Sequence, residues 1–316
     1  MVSVSAPVQQ TPSRRVVGEN VWLGGSTFAG KPKTLDALQV YDIKPEVLIS
    51  EEAVGQAQLD EIEEYAAQRA GDIVLVLLGG RGAQAFYRII GKLAESSKKD
   101  ALLGRLHLFT QDGLAPLGMD SGLSFVRDFE RLLGEAFFRK VKSFTSMRTD
   151  AHDLEGELER YIHKLESLGG IDIFLLGLGP EAEAASHLAY IKPGSGATAG
   201  DFAGLIPISS SILDHHIAKF KAGGSQVTDA DERECRKATH ILTLGPAAIL
   251  EAKRIVQSIV DASTAPAKRA SYRRVLETDL SKDPTKRAQQ LDQNPGLWLR
   301  LHSNVRSLIL SDVLDS

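Results

Sequence analysis

The sequence predicts an α/β fold: a Rossmann-like, doubly wound, mainly parallel sheet with helices on both faces. Three observations carry the prediction. Continuous apolar runs close in glycine, as in DIVLVLLGG (72–80) and IDIFLLGLG (171–179), the pattern of strands buried on both faces. Segments with helical spacing lie between such runs, and the connections are short. Strand and helix in alternation fold most simply into a parallel sheet covered by helices.

The elements follow in order. Residues 1–44 read as an N-terminal extension with no periodic element before VWLGGSTFAG and LDALQVYDI, and 45–316 as one α/β domain. VLIS (47–50) is a short strand-like run. EEAVGQAQLDEIEEYAAQRAG can align Val54, Leu59, Ile62 and Ala66 on one helical face, with Gly71 as a stop. After DIVLVLLGG, AQAFYRIIGKLAESS reads as a helix, LHLFTQD (106–112) as a strand, and LSFVRDFERLLGEAFFRKV and LEGELERYIHKLESLGG as amphipathic helices. Beyond IDIFLLGLG come a strand THILTLG (239–245), helices PAAILEAKRIVQSIV and KRASYRRVLE, and a closing strand in NVRSLILSDV.

Composition narrows the function. Of 316 residues, 37 are Lys or Arg and 41 Asp or Glu, a net charge of −4 with no basic stripe, so nucleic acid is not an expected partner. No apolar stretch approaches the roughly 20 residues that span a bilayer, and MVSVSAPVQQTPSRRVVGEN lacks the apolar core of a secretory signal. The expectation is a cytoplasmic protein without a membrane partner; homo-oligomeric assembly is left open. The single cysteine, Cys235 in DADERECRKA, excludes a disulfide framework and reads as a passive thiol.

Ligands of such sheets sit beyond the carboxyl ends of the strands. In LLGGRGAQAF, Gly79, Gly80 and Gly82 permit a tight turn whose amides can face an anion, with Arg81 adding charge; a ligand-free turn is the equal alternative. It is neither a Walker A loop nor the dinucleotide fingerprint. In LFTQDGLAP, Asp112 after Gln111 can serve as an exposed general base, although Asp-Gly is also a common turn. In LLGLGPEAEAASHLAYIKPGSG, Glu181 and Glu183 follow Gly179. If a helix starts there, Glu183 and His187 share a face, and first-turn acids are also simple capping.

Together these loops resemble the glucosamine-6-phosphate deaminase/isomerase and 6-phosphogluconolactonase superfamily over roughly residues 45–310. The family's Gly-Gly-Ser/Arg-Thr-Pro turn is matched by Gly79-Gly80-Arg81-Gly82-Ala83, and a tyrosine in the next helix by Tyr87. Its strand ending in Asp-Glu is matched by Asp112-Gly113, with Ser121 or Ser124 at the helix start beyond. Leu-Leu-Gly-x-Gly is matched by Leu175–Gly179, and a late Lys…Glu pair by Lys268 and Glu277. The resemblance implies a Rossmann-like fold, no metal or nucleotide cofactor, and a phosphorylated sugar as substrate. It implies that Asp112 moves a proton between C1 and C2, that the histidine loop opens the sugar ring, and that the glycine loop and Lys268 hold phosphate. In the lactonases the histidine activates water.

The departures concentrate in the third loop. Aligned without a gap, the family's Asp-Gly-His becomes Glu181-Ala182-Glu183, which loses the imidazole, and Ala185-Ser186 supports that register. With a four-residue insertion, His187 takes the histidine's place and Lys192 replaces the ring-opening glutamate. The ungapped register is preferred because insertions disturb catalytic geometry. SILDHHIAKFK lacks the phosphate-binding arginine of the deaminases, with Lys219 as a substitute. His215 and His216 read as phosphate neighbours or a solvated pair, and Trp298 and His302 as packing or surface residues. GGST (24–27) copies the phosphate wording but precedes the first family helix, so it reads as a turn.

The resulting expectation is a divergent aldose–ketose isomerase or deaminase on an amino-sugar phosphate. Asp112, Glu181, Glu183 and His187 are the catalytic residues. Gly79, Gly80, Arg81, Gly82 and Lys268 bind phosphate, and Gln111, Gly179 and Lys192 contact substrate. The alternatives are a lactonase-like hydrolase with Glu183 as base, and a sugar-phosphate-binding protein without catalysis.

Overall fold

The computed structural model describes residues 12–25, 34–181 and 185–314. Seven strands form a wholly parallel sheet in the spatial order Pro45–Leu48, Val305–Leu310, Arg254–Ile259, Ile173–Leu176, Ile73–Leu77, Leu106–Thr110 and Ser143–Thr145. Side-chain alternation along each strand feeds two separate cores. Ile73, Leu75 and Leu77 pack with helices Glu51–Ala67, Arg81–Ala94 and Phe125–Phe138, whereas Val74 and Val76 pack toward helix Leu154–Ser167. The expected α/β class, with a parallel sheet and helices around it, is the observed one. Val54, Leu59, Ile62 and Ala66 are all buried on the first long helix, which Ser50 caps by accepting a hydrogen bond from the Ala53 amide.

A second, antiparallel sheet stands beside the first. Its order is Arg14–Val17, Asn20–Gly24, Asp201–Pro207, His240–Leu244 and Asp112–Ala115. Residues 14–24, within the segment read as an extension, thus supply two of its strands. Gln111 alone separates Leu106–Thr110 in the parallel sheet from Asp112–Ala115 in the antiparallel one, so Asp112 lies where the chain passes between sheets.

Two expectations are corrected. PAAILEAKRIVQSIV is not one helix: a short helix, Pro246–Glu251, gives way to the strand Arg254–Ile259. Ile255, Val256 and Ile259 are β-branched, and five consecutive positions are buried, so a place between two parallel neighbours buries more apolar surface than a helix face could. The third loop does not begin a helix either: Leu178–Pro180 and Ser186–Leu188 pair as an antiparallel ribbon.

The connectivity fixes where a ligand can sit. From Ile73–Leu77 the chain winds outward to Leu106–Thr110 and Ser143–Thr145, then returns to place Ile173–Leu176 on the opposite side of Ile73–Leu77. The order reverses between these two adjacent strands, and such a switch point opens a crevice at their carboxyl ends. The loops beginning Leu78-Gly79 and Gly177-Leu178 border that crevice.

Candidate functional site

A cleft lies at the switch point. It gathers Gly79, Arg81, Gly82, Gln111, Asp112, Gly179, His187 and Lys268, eight residues that the sequence singled out from four separate segments. Tyr190, His215, His216, Lys219, Ser258 and Asp261 complete its polar lining.

One end of the cleft is built from the sheet junction and the ribbon. Asp112 is partly buried, and Gln111 Nε2 donates to its Oδ2 at 3.2 Å. Burial raises its carboxyl to about 6, against the opposing effects of Gln111, His187 and Lys219. A carboxyl near 6 can both take and return a proton near neutrality. The ribbon register sets His187 opposite Gly179. Its Nδ1–H donates to Glu181 Oε1 at 2.7 Å, which leaves Nε2 as the basic nitrogen of the neutral ring. The Tyr190 ring packs against the imidazole with centroids 4.8 Å apart. A Cβ at position 179 would fall 1.8 Å from His187 Nε2, so only glycine leaves the ring its place.

The anion end is built from the glycine loop and two helices. Gly80, with φ 101°, precedes helix Arg81–Ala94, a conformation that glycine adopts without strain. Tyr87 Oη, buried in that helix, donates to the Leu78 carbonyl at 2.8 Å and ties the loop down. Gln58 and Ser258 both donate to the Gly82 carbonyl, at 3.1 and 2.9 Å. Helix Ser210–Ala222 presents Lys219, whose Nζ lies so close over Gly80 that a Cβ there would be 2.1 Å away. Burial and the charge of Lys268 lower the Lys219 ammonium to about 8. Lys268 is buried and bonded through Nζ to both carboxylate oxygens of Asp261, at 2.6 and 2.7 Å. Arg81 is ion-paired with Glu51.

Not every expected residue lines the cleft. Lys192 donates to the Pro207 carbonyl at 2.7 Å, outside the lining, because the turn after the ribbon carries it toward the antiparallel sheet. Gly80 and Glu181 flank the lining through Lys219 and His187. Glu183 lies outside the described residues, as do Ser26 and Thr27 of GGST. Of the two registers, the gapped one names the imidazole found in the cleft: His187 lies across the ribbon from Gly179. His215 and His216 are not a solvated pair. His216 is buried, bonded through Nε2 to the Leu123 carbonyl at 2.8 Å and packed against Phe125 and Phe220. Burial pushes both imidazoles down to about 4, so both are neutral. Trp298 is core, and His302 bonds the Ala252 carbonyl at 2.7 Å. Glu277 is exposed at the far end of the helix that begins beside Lys268. Ser124 caps helix Phe125–Phe138. Cys235 is buried, with its thiol pushed up to about 11 by burial, as befits a passive residue.

Asp261 and Ser258 escaped the sequence reading for one reason. Both follow from RIVQSI being a strand, since Asp261 then sits just past a strand's carboxyl end. Among the described residues, no helix is long and apolar enough to cross a membrane, and no cluster of three His, Cys, Asp or Glu residues could hold a metal ion.

No family model matches the chain. Curated relatives do. A glucosamine-6-phosphate deaminase of Bacteroides thetaiotaomicron is 29% identical over 117 residues, a match spanning only 37% of either chain. Glucosamine-6-phosphate deaminase 1 of Bacillus subtilis is 26% identical over 75% of this chain and 85% of its own. The deaminase of Rhodopirellula baltica is 25% identical over 84% of this chain and 96% of its own. Among solved structures, a monomeric glucosamine-6-phosphate deaminase superposes with a TM-score of 0.64 at 23% identity, covering 86% of this chain and 98% of that one. The 6-phosphogluconolactonase of Trypanosoma brucei gives a TM-score of 0.57 at 18% identity, covering 86% and 98%. These likenesses agree with the loops: the chain is similar in sequence to glucosamine-6-phosphate deaminases, and its fold is the one they share with 6-phosphogluconolactonases.

Proposed function

We propose that the protein is an aldose–ketose isomerase or deaminase acting on an amino-sugar phosphate such as glucosamine 6-phosphate. The observation that carries this reading is Asp112, a carboxyl raised to about 6 that shares one cleft with the carboxylate-backed imidazole of His187. His187, held by Glu181, moves the proton from the C1 hydroxyl to the ring oxygen and opens the ring. Asp112 takes the C2 proton and returns it to C1, while one proton of the C2 ammonium passes to O1 and makes it a hydroxyl. The 2-imine so formed is hydrolysed by water to a ketone and ammonia. A carboxyl near 6 suits both halves of the C2-to-C1 transfer. The Gly79–Gly82 turn and Lys219 hold the phosphate beside the Lys268–Asp261 pair, and its binding energy keeps C1 and C2 over Asp112.

A lactonase-like hydrolase is the second reading, favoured by the His187–Glu181 pair alone, because an oriented imidazole can activate water. It leaves Asp112 without a task. The test is ammonia release from glucosamine 6-phosphate. Asp112→Asn is expected to abolish release while sugar phosphate still raises the melting temperature. Hydrolysis of a phosphogluconolactone without ammonia release selects the second reading, and stabilisation with no turnover of either compound selects a binding protein. No sugar phosphate raising the melting temperature refutes all three.

A further inference from the structure

The anion end holds three cations, and carboxylates already occupy two of them. Arg81 is paired with Glu51, and Lys268 with Asp261 through both carboxylate oxygens, at 2.6 and 2.7 Å. The Lys268–Asp261 pair is buried on both sides, with 5% of each residue exposed, and it faces the same cleft as Lys219. Burial would raise the Asp261 carboxyl, yet the neighbouring ammonium groups of Lys268 and Lys219 hold it below its ordinary value, so it is ionised at neutral pH. Lys219 Nζ has no hydrogen bond or ion pair among the described residues and lies directly over Gly80. His215 is neutral and its Nε2 is buried without a partner, so it adds a donor or acceptor but no charge. One positive charge is therefore left over for the ligand.

We propose that Asp261 is a specificity-determining residue that sets the charge the cleft accepts. By engaging Lys268 it reserves Lys219 as the single free cation, and its own carboxylate faces the incoming group. The site then favours a singly charged anionic terminus, and a phosphate ester is taken with its monoanion preferred over its dianion. The proposal rests on the reading of the glycine-loop end as the phosphate site. It goes further in assigning a discriminating role to a residue that binds no substrate atom in that reading.

A pair of ligands that differ only in charge tests it. A sugar 6-phosphate has a second pKa of about 6 and is mostly dianionic at pH 7, whereas the 6-sulfate is a monoanion at any such pH. Binding of glucose 6-phosphate and glucose 6-sulfate to the full chain is measured by calorimetry at pH 7, below the value of about 8 for Lys219. Wild-type protein is expected to bind the two within about threefold of each other, and Asp261→Asn to favour the phosphate by about tenfold, the effect of one partly screened charge. Lys219→Met is expected to lose both ligands. A wild-type preference for phosphate of about tenfold or more, which needs no variant to fold, overturns the proposal. An unchanged ratio in Asp261→Asn, or binding of neither ester by wild-type protein, overturns it too. Ammonia release scores the deaminase reading separately: a protein with the expected ratio that releases none keeps this proposal and loses that one.

Discussion

Gly179→Ala isolates the contribution of His187 without touching a charged group. Gly179 is not in the left-handed region, so alanine fits the backbone there. Its methyl, however, would stand 1.8, 2.3 and 2.6 Å from three atoms of the His187 ring. Ordinary contact begins near 3.4 Å, so the ring must retreat by roughly 1.5 Å. That displacement breaks the 2.7 Å bond from Nδ1 to Glu181 and lifts Nε2 from its position in the cleft. A misplacement of about 1 Å at a reacting group costs about 100-fold, so kcat for ammonia release is expected to fall by at least that factor. Because the ring sits at a cleft and can swing into it, the melting temperature is expected to change little. The assay is a coupled measurement of ammonia release, with thermal unfolding run beside it. Wild-type kcat in a folded Gly179→Ala protein refutes the placement of His187 in the reaction.

Three further outcomes follow from the same geometry. The turnover that depends on ionised Asp112 is expected to rise as pH increases through about 6 and to level off above it. The folded-state carboxyl lies above its ordinary value of 3.8, so the native state binds the proton more tightly than the unfolded chain and loses stability between pH 3.8 and about 6 as pH rises. Asp112→Asn is therefore expected to raise the melting temperature at pH 8 and to give no such gain at pH 3.5, a contrast that unfolding curves at the two pH values check. Lys219→Met should abolish the thermal stabilisation by sugar phosphates at concentrations that shift the wild type; a retained shift places the anion elsewhere. Tyr87→Phe removes the bond to the Leu78 carbonyl and should cost about 1 kcal/mol, read from denaturant midpoints, with KM for the sugar phosphate rising more than kcat falls.

Most of the parallel sheet was legible because Ile73–Leu77, Leu106–Thr110 and Ile173–Leu176 each carry their own signal. Ile73–Leu77 is buried at every position, and that appears in sequence as an unbroken apolar run. Arg254–Ile259 was not legible, since Arg254, Gln257 and Ser258 interrupt its apolar residues and imitate helical spacing. Those polar side chains find partners across the fold: Arg254 donates to Glu61, Ser258 donates to the Gly82 carbonyl, and the Gln257 carbonyl oxygen accepts from Ser307, while Arg254 Nε and Gln257 Nε2 stay without one. Tertiary partners of this kind cannot be read from a local window. The antiparallel sheet was hidden for a related reason, because its five short strands come from four distant segments and only their pairing defines them.

The same reasoning explains why the sequence left two registers for the histidine loop. A motif aligned by adjacency assumes that the residues meeting a substrate are neighbours in sequence, as in Asp-Gly-His. Here the acid and the imidazole are six positions apart and still form a 2.7 Å bond, because the antiparallel ribbon sets His187 opposite Gly179, two residues before Glu181. The partner across the ribbon is what gives the imidazole its place: the missing side chain of Gly179 is the space that His187 occupies. Where an imidazole can sit is therefore decided by the residue opposite it in the ribbon and not by its distance from the acid along the chain.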